Sequence, residues 1–230
     1  MYLSLRPFDR LSDLARLPAP EASRPRRNPV VVPISPVEIS HLAQRFPTAW
    51  RRDANGWDLV AVTGLTKTHD YWLPTPAPDG AIVAPLLLRT FPLTLLDDGA
   101  NDNLPVLVDE TALSLGAPAL SEEARAAREA EFDRRCMALW TFVNSRRALA
   151  PISAALDAAG AFRPWDLAFA RDEATYGIGG LHCVDWSYFG GDDHRRLVAQ
   201  FGWLAANVLT MHRVSQHRMN TILRDMADKT

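Results

Sequence analysis

The spacing of apolar positions changes twice along the chain and marks out three stretches. In the first, Val30, Val31 and Val32 form a β-branched run closed by Pro33, a residue tolerated at strand ends and edges, so a short strand is predicted. Ser35 precedes Pro36, which suits the first helical position. Ile39, Leu42, Ala43 and Phe46 follow at helical spacing until Pro47, predicting an amphipathic helix of about three turns. In the second stretch the runs 57–62, 71–73, 86–96 and 106–108 read as strands, separated by the turn pairs Asn55-Gly56, Asp79-Gly80 and Asp98-Gly99. Sequential hairpins of this kind favour antiparallel pairing. Pro74, Pro76 and Pro78 mark a loop rather than a linker, because strand-like sequence resumes directly after them.

The third stretch is mostly helical. Ser121 is placed to cap exposed amides, Glu122 and Glu123 complement the helix dipole, and Phe132, Cys136, Leu139, Trp140 and Val143 form one inward stripe. A second helix is predicted to open near Pro151 and end at Gly160, making a helical hairpin with the first. Strands at 165–170 and 178–184 are joined by a polar turn around Asp172 and Glu173. Asp192 or Asp193 then caps a long final helix carrying Leu197, Phe201, Leu204, Val208, Met211, Ile222 and Met226 in a helical rhythm.

No internal repeat is visible, and helices lie between two groups of strands. The pattern predicts an α+β fold, a mainly antiparallel sheet packed by the helical hairpin and the long C-terminal helix. Residues 1–28 carry Arg6, Arg10, Arg16, Arg24, Arg26 and Arg27 with several prolines and read as a basic, loosely ordered arm. Residues 29–230 read as a single domain.

Composition narrows the function classes. An apolar fraction of 47% with 23% charged residues provides for a sizeable core. The 25 basic and 27 acidic residues leave a net charge of -2, too balanced for the broad positive field that nucleic acid or anionic membranes require. The first ten residues lack the apolar run of a secretory signal. The most apolar segment, 81–96, is interrupted by Arg89 and two prolines, so no membrane span is predicted and a cytoplasmic location is expected. Cys136 and Cys183 read as small apolar core residues.

A search for catalytic or metal chemistry returns little. His212 and His217 are five apart and diverge on a helix, whereas zinc ligands at i and i+4 share a face. His194 and His212 share a face but lie roughly 27 Å apart along it. His182 and Cys183 point to opposite faces of a strand. No metal site and no cofactor are expected. The cluster Gly177-Ile178-Gly179-Gly180 lacks the dinucleotide fingerprint and the phosphate-loop lysine, and it leads into a strand, which fits a bulge or a close approach of strands. Seven tryptophans are present, and Trp57, Trp72 and Trp186, beside polar turns, are candidate exposed anchors for a partner or ligand. Arg89 stands in the most apolar stretch, where a buried charge needs a carboxylate such as Asp109, Glu110 or Asp185, or an anionic ligand.

Several segments together resemble the bacterial SapC family. Residues 33–46 resemble its proline followed by an acidic helix ending in an aromatic and proline. Val83, Pro85, Leu88, Arg89, Phe91 and Pro92 resemble its strand motif of arginine closely before an aromatic and proline. Val108-Asp109-Glu110 resembles its hydrophobic-Asp-Glu strand end, and Gly180 through Val184-Asp185 its glycine and Val-Asp pattern before the last helix. The ordered set covers approximately residues 30–228. Arg89 is followed by threonine where the family more often has a basic residue and then tyrosine, and the loop 74–80 diverges.

The resemblance implies an accessory role beside TonB-dependent receptors, relatives of flavin-dependent halogenases, or cupin-like proteins, in nutrient uptake or a modification pathway. The expected function is therefore a non-catalytic binding or accessory protein, with Arg89, Asp109, Glu110, Asp185, Trp72 and Trp186 as candidate ligand-binding residues. The alternatives are an enzyme with a charged site at strand ends and a surface-layer-associated structural protein. Oligomeric state is left open.

Overall fold

The computed structural model describes residues 1–19, 23, 25, 29–54, 56–64, 84–97, 104–116, 120–171 and 174–220. In chain order its elements are β1 (Leu5–Pro7), α1 (Arg10–Asp13), β2 (Val31–Pro33), α2 (Ile39–Leu42), β3 (Thr48–Asp53), β4 (Gly56–Val62), α3 (Leu86–Thr90) and β5 (Leu93–Leu95). They continue with β6 (Val106–Asp109), α4 (Glu122–Ala158), β7 (Phe162–Pro164), β8 (Leu167–Arg171), β9 (Ala174–Ile178), β10 (Leu181–Val184) and α5 (Asp192–Ser215). Among the described residues every strand pairing is antiparallel and the last element is a long helix, so the fold is α+β as its sequence predicts. The chain forms two compact units, one from Met1–Asn28 with Leu86–Asn144 and one from Pro29–Pro85 with Ser145–Thr230.

The first unit is built on a three-stranded sheet in the order β1-β6-β5. Leu93 and Val108 face each other across it and are fully buried. The N-terminal residues, expected as a loose arm, are an integral part of this unit. Leu5 pairs with Asp109 and Pro7 with Leu107, while the Phe8 ring stacks on Phe132 of α4 at 4.6 Å between centroids. Leu14 and Leu17 are buried, and the Asp13 carboxylate, wholly inaccessible, accepts two 2.6 Å hydrogen bonds from the Arg6 guanidinium. Arg6, Arg10 and Arg16 thus find carboxylates within the unit, which composition alone does not reveal.

The second unit carries a five-stranded sheet in the order β2-β4-β3-β10-β7. Strand alternation sends Ala49, Val60, Val62 and Leu181 to one face, where Ile178 and Met219 complete a core and Val30, Val31, Trp165 and Leu167 pack around it. Trp50, paired with Leu59 and with His182, lies on the opposite face. It is fully buried and donates its indole N–H to Ser153 of α4 at 3.1 Å. The hairpin β8-β9 forms its own two-stranded sheet.

Several elements differ from expectation. The predicted helical hairpin is one continuous helix, α4, with Pro151 inside it. Pro151 cannot donate to the carbonyl of Arg147, but it lies on the exposed side of the helix, while Leu149, Ile152, Ser153 and Leu156 carry the buried stripe across it. The predicted strand 86–96 divides into α3 and β5, leaving Arg89 on a helix. The run 178–184 is broken at Gly179 and Gly180, the latter at φ 74°, so that β9 and β10 belong to different sheets. The helix expected after Ser35 is shorter, a 3₁₀ turn at Pro36–Glu38 followed by α2, fixed by a capping box between Ser35 and Glu38. The predicted strand 71–73 and the positions Trp72, Ile222 and Met226 lie outside the described residues.

Candidate functional site

The charged residues singled out by sequence do not assemble on Arg89. On α3 its side chain is exposed, while Asp109 at the end of β6 is buried and bound elsewhere. The Asp109 carboxylate accepts from the amides of Leu3 at 2.7 Å, Ser4 at 3.3 Å and Thr111 at 3.1 Å, and from the Thr111 hydroxyl at 2.7 Å. Burial pushes this carboxyl up, but those hydrogen bonds together outweigh it and hold it below the ordinary carboxylate range. Glu110 accepts from the Ser4 hydroxyl at 2.8 Å and lies 3.5 Å from Arg6 Nε. Both acids anchor the N-terminal strand.

The buried arginine that the sequence argument anticipates is Arg135 on α4, 3% exposed. It ion-pairs with Glu131 at 2.8 Å and donates to the carbonyls of Phe91 at 3.1 Å and Pro18 at 3.2 Å. Its position between Phe132 and Leu139, on the apolar stripe, is the signal that could have found it.

A second cluster surrounds His212 in the other unit. The Val184 amide donates to its Nε2 at 3.2 Å, so the proton is assigned to Nδ1, which faces the Thr48 hydroxyl at 3.0 Å. That hydroxyl lies 2.9 Å from Ser215 Oγ, and Ser215 in turn donates to the His212 carbonyl at 2.7 Å. Gln216 Nε2 donates to the Thr48 carbonyl at 2.6 Å and stands 3.4 Å from His212 Nδ1. Burial drives the imidazole pKa down to about 3. A histidine beside two hydroxyls has the composition of a nucleophile and base. Here, however, Nε2 is filled by a backbone amide, and His212, Thr48 and Ser215 are all 1% exposed or less, so the group ties α5 to β3 and β10.

The third cluster is open to solvent. Asp185, just after β10, caps the turn Trp186–Tyr188 by accepting from the Ser187 amide at 2.8 Å and the Ser187 hydroxyl at 2.7 Å, and it holds Arg163 Nε at 2.6 Å. The Ser187 bonds, followed by Arg163, lower its pKa to about 2. This cap fixes the turn that carries Trp186, which is 50% exposed. Arg213, in the last turn of α5, lies over the Trp186 ring with Cζ 4.5 Å from the centroid and over Phe189 at 5.0 Å. His217 meets Trp186 edge-on at 6.2 Å, and His194 lies 5.7 Å from Phe189. Of the predicted site residues, Asp185 and Trp186 are therefore brought together, Asp185 capping the turn that carries Trp186. Phe189 and Arg213 were missed, because their juxtaposition depends on how α5 packs rather than on spacing.

Among the described residues no group of three His, Cys, Asp or Glu side chains is placed to hold a metal ion. Cys136 and Cys183 are partly buried, and burial raises both thiols, Cys136 to about 11, so neither is poised as a thiolate at neutral pH. No helix among the described residues is long and apolar enough to cross a membrane.

The family model described as SapC matches residues 18–222 of the 230. The chain belongs to the SapC family. No curated protein and no solved structure matches it. Seen on the fold, the SapC-like segments occupy distinct structural places. Phe91 lends its carbonyl to Arg135, Asp109 and Glu110 hold the N-terminal strand, and Asp185 caps the Trp186 turn. Two of the three are structural fastenings, and the last adjoins the exposed Trp186 ring.

Proposed function

We propose that this SapC-family chain is a non-catalytic binding or accessory protein of a bacterial nutrient-uptake or modification pathway, and that it recognises its partner through the surface around Trp186. The observation that carries this reading is the half-exposed Trp186 with the Arg213 guanidinium over its ring, the same guanidinium also lying over Phe189. Tryptophan and arginine dominate the energetics of protein recognition because each supplies a large rigid contact area together with polar donors. The other polar clusters are occupied by internal bonds, which favours binding over catalysis as the role of the exposed one. The family resemblance implies partners of the TonB-dependent receptor, halogenase-like or cupin-like kinds.

The test is affinity purification from the native cell with mass spectrometry, comparing the wild-type chain with Trp186→Ala. Recovery of a partner of one of these kinds by the wild type, lost in Trp186→Ala while the melting temperature is kept, supports the reading. A turnover activity in the purified chain that is unaffected by Trp186→Ala overturns it, as does partner recovery that ignores the substitution.

A further inference from the structure

The Arg213 guanidinium carbon lies over two aromatic rings, 4.5 Å from the Trp186 centroid and 5.0 Å from that of Phe189. Contact with two rings restricts the side chain before any ligand arrives, and a guanidinium held by rings keeps its N–H donors for another partner. Neighbouring cations are already matched: Arg163 with Asp185 at 2.6 Å, Arg195 with Asp192 at 2.8 Å, and Arg196 with Asp193. Arg213 has no carboxylate and no hydrogen-bond acceptor among the described residues. A guanidinium restrained against two rings, without an acceptor among the described residues and beside the half-exposed Trp186, has the chemistry of a receptor.

The geometry points to a carboxylate-binding site at Arg213, taking a singly charged carboxylate attached to an apolar or aromatic body. The inference rests on the binding-protein reading above and names the group that surface recognises. The fork matches two carboxylate oxygens, and the ring of the ligand lies along Trp186. A phosphate dianion suits the site less, because one arginine balances one charge and the Asp185 carboxylate caps the same Trp186 turn. Two sources carry the required group: a free organic acid, or an acidic side chain flanked by aromatics in a protein segment.

Isothermal titration of the full chain separates them. The probes are benzoate, acetyl-Phe-Glu-Phe-amide, its glutamine analogue acetyl-Phe-Gln-Phe-amide, benzylammonium and inorganic phosphate. Saturable binding of benzoate identifies a free acid as sufficient. Binding of the glutamate peptide without benzoate identifies a protein segment. In either case the glutamine peptide and benzylammonium stay silent, Arg213→Gln weakens binding at least tenfold, and Arg213→Lys, which keeps the charge without the plane, falls between. Failure of both carboxylates, equal binding of the glutamine peptide or of phosphate, or indifference to Arg213→Gln overturns the inference. If Arg213→Gln lowers the melting temperature, the comparison of glutamate with glutamine peptide on the wild-type chain still decides. Loss of partner recovery in Trp186→Ala with both carboxylate probes silent removes this inference and leaves the binding-protein reading standing.

Discussion

The Asp109 carboxylate accepts the amide of Leu3 at 2.7 Å, joining residues 106 positions apart. With Ser4 and Thr111 on the same buried group, its removal leaves several donors unsatisfied. Asp109→Ala is expected to cost about 2–3 kcal/mol and Asp109→Asn less, read from urea unfolding midpoints. Because the folded carboxyl is held below its ordinary value, the contribution is present at neutral pH and is lost as pH falls through the acid range.

Arg89 and Arg135 give opposite outcomes for the same substitution. Arg135→Met removes one of the two arginines that hold Glu131 and leaves two backbone carbonyls without their donor inside the first unit, and a loss of about 1–3 kcal/mol is expected. Arg89→Met, on an exposed position of α3, is expected to change stability by no more than about 0.5 kcal/mol. Paired thermal melts check both, and equal effects would contradict the assignment of the buried charge.

His212 makes stability depend on mild acid. Its pKa is about 3 in the folded chain and near 6.5 when unfolded, so between these values the unfolded state binds the extra proton. Stability is complete above about pH 6.5 and declines by roughly 1.4 kcal/mol per pH unit as pH falls through that window. His212→Gln lowers stability at pH 7.5, but its deficit against the wild type narrows towards pH 5. A constant deficit across that range would show that the imidazole titrates freely in the fold.

Gly202 interrupts α5 with φ 62° and ψ -143°, a conformation that side chains with a Cβ rarely adopt. A Cβ there meets no atom within 4 Å, so the cost of Gly202→Ala is backbone strain rather than collision. A loss of about 1–3 kcal/mol is expected in chemical denaturation, against a small gain if the helix simply straightened.

The elements most legible in the sequence are those whose signal is local. β2, β4, β6, β8 and the starts of α4 and α5 follow from β-branched runs, turn pairs and acidic helix starts. β3 was not anticipated because Arg51, Arg52 and Asp53 obscure its alternation beyond the buried Thr48, Ala49 and Trp50. Pro151 invited a break that its exposed position makes unnecessary. In the site, Trp186 was legible as an aromatic beside polar turns. Its partner Arg213 was not, since 27 residues separate them and only the packing of α5 brings the rings and the guanidinium together.

The two compact units are woven from alternating stretches of chain, with Pro29–Pro85 lying between the parts of the first and Leu86–Asn144 between those of the second. During synthesis β1 waits roughly a hundred residues for its neighbour β6, and the five-stranded sheet lacks β7 and β10 until nearly four fifths of the chain has emerged. Neither unit is complete on a nascent chain until late in translation. For the same reason no proteolytic cut within 29–144 releases an intact unit, and each is inherited, expressed and lost together with the other.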